Sequence, residues 1–320
     1  MNCAPVLITV YHRLYTLRRC VEALLRNKEA CDTCLYIASD APCRDEDKNL
    51  IDAVRSYVKT ITGFKSVVLI ARGRNFGQHD NCEDAINRVL NEHGRVIFLE
   101  DDILASPTYL SYSNAGLEAF KDNDRVFAVC GYNSAVQVPK GWKPKWYALR
   151  RYSPWGVAFW RNKWRNVNLS RGGRVSSLMA ERPDDYHRLC NEDPAFIRLM
   201  EADDNGSVTA MDVRIESYLL HSGMCCVYPK KAQTTFMSTG KDAMHFSIAW
   251  IKKPRLECDE FVVEDFKFGN LNQEIEIYKE LLNRKYPKRV ERMINALRND
   301  GCVATLVYCV RRLLQEVVRK

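Results

Sequence analysis

Short apolar runs recur along the N-terminal third of the chain, each followed by a polar loop and then by apolar residues at helical spacing. Pro5–Val10 (P-V-L-I-T-V) is rich in β-branched residues and leads through Tyr11-His12-Arg13 into an amphipathic stretch from Leu14 to Leu25. Leu35–Ala38 stops at Ser39-Asp40-Ala41-Pro42, and Glu46–Thr60 then carries Leu50, Ile51, Val54, Tyr57 and Val58 on one helical face. Val67–Ala71 precedes Arg72-Gly73-Arg74-Asn75-Phe76-Gly77-Gln78 and a helix through Cys82–Leu90. Val96–Leu99 then runs directly into Glu100-Asp101-Asp102. Strand, loop and helix repeat three times before a fourth strand, which predicts an α/β, Rossmann-like, mainly parallel sheet flanked by helices.

The pattern loosens after this. A helix from Pro107 to about Phe120 precedes the strand Val126–Cys130 and then Gly131-Tyr132-Asn133. Trp142 to Arg151 is rich in Trp, Lys, Tyr and Arg, and Trp160 and Trp164, four apart, read as core residues of a helix. Asn168–Glu181 is Gly/Ser/Arg-rich without periodicity and reads as an exposed loop. Helices are expected over Asp193–Glu201 and from Met211 to Leu220, with a plain turn at Asp203-Asp204-Asn205-Gly206 between them. A strand ends at Tyr228-Pro229, Phe261–Phe268 reads as a strand or strap, and Asn272–Leu282 reads as a helix. In the tail, Val303, Leu306, Val307, Val310, Leu313, Leu314 and Val317 repeat at helical spacing between Arg311, Arg312, Arg319 and Lys320, a helical, basic C-terminal extension.

Charge and composition narrow the class. The net charge is +8, and residues 284–320 hold ten Lys or Arg against three acids. Such a helix can lie on an anionic membrane, and it can equally pack on the rest of the chain or form an oligomer. No apolar run approaches the roughly 20 residues of a bilayer span. Thirteen cysteines, scattered and odd in number, with Met1–Pro5 leading straight into a strand, point to reduced thiols and a cytoplasmic setting. Cys31-x-x-Cys34 with Cys43 lacks a second pair at zinc-finger spacing and reads as a loop of ordinary thiols. Without a helix-turn-helix, an aromatic RNP-like strand or a zinc finger, no nucleic-acid partner is expected.

The candidate chemistry sits at the ends of the strands. Ligands of open α/β sheets collect there, and a carboxylate cluster can hold a hard divalent cation against phosphate; the plainer reading of Glu100-Asp101-Asp102 is a solvated acidic turn. Asp40, after the second strand, suits a contact to ribose or base, or else caps a turn. Arg72 and Arg74 among glycines suit a diphosphate. Trp155 beside Gly156 offers an aromatic face to a sugar or belongs to the core. Asp212, at a helix start, is a base candidate or a helix-dipole partner, and Glu216, one turn on, is the fallback base.

Val10–Cys20, Leu35–Asp40, Arg74–Gly77 and Val96–Asp102 together resemble the GT-A fold glycosyltransferases related to N-acetylglucosaminyltransferase I and to bacterial polysaccharide glycosyltransferases. The resemblance implies that Asp102 ligates Mn²⁺ or Mg²⁺ on the donor diphosphate, with Glu100 and Asp101 toward ribose and sugar. It further implies that Tyr11, Arg13, Arg74 and Asn75 line the donor, that Asp40 lies by the uracil, and that Trp155-Gly156 lies on the acceptor side. The family's base stands in a W-D-x-x-W segment; Asp212 stands seventeen residues before Pro229, as that resemblance requires, although Met211 and Ile215 replace both tryptophans. By the same resemblance Lys241 and His245, in Gly240-Lys241-Asp242-Ala243-Met244-His245, lie near the diphosphate, with His245 as a further metal ligand.

The expectation is therefore a catalytic domain over residues 1–250, nucleotide-binding over 1–105 and acceptor-side over 106–250, followed by an extension over 251–320. Its expected activity is metal-dependent, inverting transfer from a UDP-sugar, first guess N-acetylglucosamine, to a glycan or lipid-linked acceptor. Acceptor loops are expected at Gly141–Arg151 and Asn168–Glu181. The alternatives are a sugar nucleotidyltransferase, against which the absence of a Gly-rich loop after the first strand counts, and a non-catalytic basic binding module.

Overall fold

The computed structural model describes residues 3–133, 138, 141–237, 255–267 and 271. Lys241, His245 and the basic tail helix lie outside the described residues. The N-terminal part runs β1 (Val6–Val10), α1 (Leu14–Leu25), β2 (Cys34–Ser39), α2 (Lys48–Val58), β3 (Ser66–Ala71), α3 (Gln78–His93) and β4 (Arg95–Glu100). There follow β5 (Ile103–Ala105), α4 (Tyr109–Ala119), β6 (Val126–Cys130), β7 (Trp146–Leu149), β8 (Val157–Trp160) and the short α5 (Arg161–Trp164). Last come α6 (Arg174–Glu181), α7 (Pro183–Glu192), α8 (Pro194–Asp204), α9 (Met211–Ser222), β9 (Cys225–Pro229) and β10 (Thr234–Phe236).

Among the described residues, eight strands form one sheet in the order β3-β2-β1-β4-β8-β6-β9-β7, and β5 pairs with β10 in a separate antiparallel ribbon. The first four are mutually parallel; β8 runs antiparallel to β4 and β6, and β7 closes the far edge antiparallel to β9. Burial of both sheet faces explains why the strands are almost wholly apolar. Val6, Ile8, Leu35, Ile37, Ile97 and Leu99 face α1, α2 and α4, while Leu7, Tyr36, Val96 and Phe98 face α3 and α9.

The structure corrects several expectations about elements. Trp146–Leu149, within the expected acceptor loop, is a buried edge strand. Trp160 is buried at the end of β8 rather than on a helix, and Trp164 stacks on Phe159 at 4.9 Å. The expected loop Asn168–Glu181 becomes α6 from Arg174 onward, because Gly173 opens the helix in the left-handed region (φ 78°) and Arg174 and Leu178, one turn apart, are both buried. Pro183 then starts α7 at a first-turn position where its missing N–H costs nothing.

Residues 255–267 carry the core past the expected boundary at 250. They run across α4 and end in a 3₁₀ turn over Val263–Phe266. Phe261 packs edge-on to Tyr112 at 4.8 Å, and Phe266 meets Phe120 at 5.6 Å and Trp146 at 6.3 Å. Phe266→Ala is expected to cost about 3–5 kcal/mol of stability. Urea denaturation should show this as an earlier single transition; an unchanged midpoint would mean that the strap does not belong to the cooperative core.

Candidate active site

The strand order reverses at β1, which has β2 on one side and β4 on the other. Chains leaving the carboxyl ends of β1 and β4 therefore diverge around a crevice, the place where open α/β sheets bind ligands. Tyr11-His12-Arg13 leaves β1 there, and Glu100-Asp101-Asp102 ends β4.

Arg13 joins the two sides. Its guanidinium grips both oxygens of Asp101, with Nε at 3.1 Å from Oδ2 and Nη2 on Oδ1, and donates from Nη1 to Asp102 at 3.1 Å. Thr16 Oγ1 also donates to Asp101, at 3.3 Å. Asp101 is thus a buried, internally paired carboxylate, whereas Asp102 keeps part of its side chain in solvent. Glu100 accepts from Gln78 Nε2 at 3.2 Å. Desolvation, then the charges of Asp102 and Asp101 and more weakly that of Asp212, push its carboxyl up to about 8 against the compensating Arg13. Burial likewise lifts Asp101 to about 6, with Arg13 pulling it back. Asp212, in the first turn of α9, hence lies within electrostatic reach of the triplet.

On the other wall, Asp40 is buried and its carboxylate is fully used. Oδ1 accepts from the Ala41 and Phe76 amides at 2.8 and 2.9 Å, and Oδ2 accepts from the Gly77 amide at 2.9 Å and Asn75 Nδ2 at 3.3 Å. Asn75 also donates to the Ala41 carbonyl at 2.7 Å. These two residues staple the end of β2 to the Arg-Asn-Phe-Gly loop, where Gly77 (φ 79°) turns the chain into α3. Arg74 is exposed and stacks on Phe76 at 4.7 Å, while Arg72 stacks on the same ring and is tied to Asp84. Tyr11 donates to Asp47 and accepts from the Cys43 amide, both at 2.8 Å. Cys31, Cys34 and Cys43 are free thiols.

Trp155 is half-buried and meets Tyr132 edge-on at 4.6 Å and Phe236 at 5.3 Å. Phe236 pairs with Ile103, immediately after the triplet, which brings this aromatic group to the acidic end of the crevice. Gly156 has φ 84°, and a Cβ there would come within 2.6 Å of Thr234 Cγ2, so only glycine fits. Glu216, the fallback base, is buried against Arg151 at 2.6 Å, and Arg151 also holds Asp193 at 3.0 Å.

Sequence reading missed several residues that build this centre. Asp203, taken as part of a turn, is a wholly buried acid at the end of α8 that binds Arg214 of α9. Gln78 and Thr16, which hold two of the acids, carry no local signal because their partners lie far along the chain.

Among the described residues no three His, Cys, Asp or Glu side chains converge as a ready metal cage. The donor set still fits a hard divalent ion: one partly exposed carboxylate, Asp102, beside further acids suits a cation that keeps waters and shares substrate phosphate oxygens.

A Rossmann-like sheet that bears an acidic triplet at its switch point and continues into a mixed half is the architecture of the GT-A glycosyltransferases. The family profile described as "Glycosyl transferase family 2" matches residues 6–180, and the chain belongs to that family. No curated protein matches the sequence. Similar solved structures include the mannosyltransferase PcManGT from Pyrobaculum calidifontis in complex with GDP-Man and Mn²⁺, at 16% identity and TM-score 0.36, covering 50% of this chain and 44% of that one. S. aureus TarS 1-349 has 12% identity and TM-score 0.36 over 52% of this chain and 50% of its own. GalNAc-T7 with UDP, GalNAc and Mn²⁺ has 13% identity and TM-score 0.39 over 52% of this chain and 37% of its own. The chain spans half or less of the length of these three structures.

The raised carboxyls give stability a defined pH dependence. Between the ordinary glutamate value of 4.5 and about 8, folded Glu100 retains a proton that the unfolded chain has lost, so stability falls as pH rises through that window. In chelator, melting temperature is expected to decline from about pH 5 to 8. Glu100→Gln should flatten the decline, and an identical decline in that variant would refute the assignment.

Proposed function

We propose that this protein is a metal-dependent, inverting glycosyltransferase that transfers a sugar from a UDP-sugar to a glycan or lipid-linked acceptor by single displacement. UDP-N-acetylglucosamine is the first donor to test. The observation that carries the reading is the convergence of Glu100, Asp101, Asp102 and the field of Asp212 at the switch-point crevice, with Arg13 paired to two of these acids. Such a site favours a divalent cation and keeps a base beside it.

In this reading Asp102 holds Mn²⁺ or Mg²⁺, which when bound supplies positive charge against the leaving diphosphate. Arg74, exposed at the loop stapled by Asp40 and Asn75, meets the nucleotide phosphates. Asp212 takes the proton of the acceptor hydroxyl as its oxygen bonds to the anomeric carbon. The bond from that carbon to the diphosphate oxygen breaks with its electron pair leaving on UDP, and the configuration inverts. Trp155 offers a face to a sugar ring on the acceptor side. The catalytic unit comprises the nucleotide-binding half, residues 1–105, and the acceptor-side half from 106. The basic tail serves as a peripheral contact with an anionic membrane surface; no helix among the described residues is long and apolar enough to cross one.

A donor screen by UDP release with Mn²⁺, Mg²⁺ and EDTA tests nucleotide, metal and reaction together. Asp212→Asn is expected to lower kcat by about 10²–10⁴ with little change in donor KM. Asp102→Ala should abolish the metal-dependent part of the rate. A full-rate Asp102→Ala protein, or pyrophosphate release from a nucleoside triphosphate and a sugar phosphate, would overturn the proposal.

A further inference from the structure

Arg214 lies two residues beyond Asp212 and is almost wholly buried. Its Nε and Nη2 hold Asp203, at 2.9 Å from Oδ2 and 2.8 Å from Oδ1, while Nη1 donates to the Leu169 carbonyl and to His79 Nε2 at 3.1 Å. Guanidinium only donates, so His79 Nε2 must be the acceptor and its proton sits on Nδ1, facing Asp80 at 3.2 Å. Asp203 also accepts from the amide of Ala210, the residue that caps α9, at 3.0 Å. One carboxylate therefore fixes both the cap and the first turn of the helix that carries Asp212.

Burial pushes the Asp203 carboxyl up, but hydrogen bonds from Arg214 and Ala210 and the charges of Arg214 and Arg174 outweigh it and hold the group below the usual range. On the opposite side, the first turn of α3 makes two contacts in consecutive residues. Gln78 reaches Glu100 of the acidic triplet, and His79 reaches Arg214. The acidic end of β4 and the start of α9 are thereby tied to the same turn of α3. A packing role alone would not call for an imidazole there, because Ile215 and Leu219 already seat α9 on the sheet and Val213 and Leu220 seat it on α6–α8.

We propose that His79, Arg214 and Asp203 form a positioning relay that locks the first turn of α9, and with it Asp212, against the Glu100–Asp102 triplet. The proposal rests on the reading of Asp212 as the base, and it gives the half-buried His79 a task in that reaction without contact to substrate. Removing Arg214 would strand buried Asp203 and risk misfolding, so His79, at the edge of the network, is the residue to change.

The test uses the full-length chain with His79→Leu, which removes the acceptor, and His79→Gln, whose amide oxygen can replace it. Hydrogen exchange read by mass spectrometry over residues 205–220, in the absence of any substrate, is expected to show the amides of residues 214–217 opening on the order of ten-fold faster in His79→Leu. His79→Gln should stay within about two-fold of wild type, at comparable melting temperatures. With Mn²⁺ and UDP-N-acetylglucosamine, UDP release should lose roughly ten-fold in kcat in His79→Leu at nearly constant donor KM, and recover in His79→Gln. Wild-type exchange in His79→Leu, or equal loss of protection in both variants, would overturn the relay. Because exchange is read without substrate, it decides the relay even if Asp212→Asn proves fully active and the base assignment falls.

Discussion

Three carboxylates at the end of one strand, Glu100, Asp101 and Asp102, repel one another in a partly desolvated crevice, and the architecture around them follows from containing that repulsion. Arg13 offsets part of it by holding Asp101 and touching Asp102. Desolvation first, and then the repulsion that is left, push the Glu100 carboxyl up to about 8. Arg13 can do this only because β1 and β4 are neighbours, which puts the loop after the first strand across from the end of the fourth. Adjacency of strands far apart in sequence is thus the condition for the site, and the parallel order that creates it depends on the two buried faces of the sheet.

The first half of the fold was legible because its information is local. Each strand there is a buried apolar run, and each helix carries its own amphipathic face, so the succession from β1 to β4 emerges from periodicity alone. The second half hides its order. β8 inserts between β4 and β6, and β7 pairs with β9 across much of the chain, so neither short aromatic strand had a sequential neighbour to announce it. In α6 the buried face includes Arg174, a residue that a hydropathy pattern scores as solvent-facing.

Residue type alone separates ligand-facing groups from internally used ones poorly. Asp40, just after β2, and Asn75, in the loop after β3, stand where a nucleotide contact is expected, and their side chains also hydrogen-bond within the loops they join. Glu216 has the right helix and spacing for a base, but it lies in a buried cluster with Arg151 and Asp193. Other groups at the crevice keep exposure: Arg74 and Gln78 are exposed, and Arg13, Glu100, Asp102 and Asp212 are partly so. Hydrogen-bond saturation, a tertiary property, makes this distinction.

The same consideration explains the departure at Met211 and Ile215, where the resembling family has tryptophans. Large aromatic residues flanking a base would fix its helix by sheer contact area. Here Ile215 is fully buried on the sheet side and Val213 on the side of α6–α8, so the helix is gripped between two apolar layers by smaller side chains. Apolar packing of that kind resists displacement away from the sheet but says little about rotation of the helix about its own axis. Directional bonds supply that restraint, and Arg214 makes them to Asp203, Leu169 and His79 at once. A helix short of its aromatic anchors can still present Asp212 at a defined angle, provided that a buried guanidinium takes over the orientation.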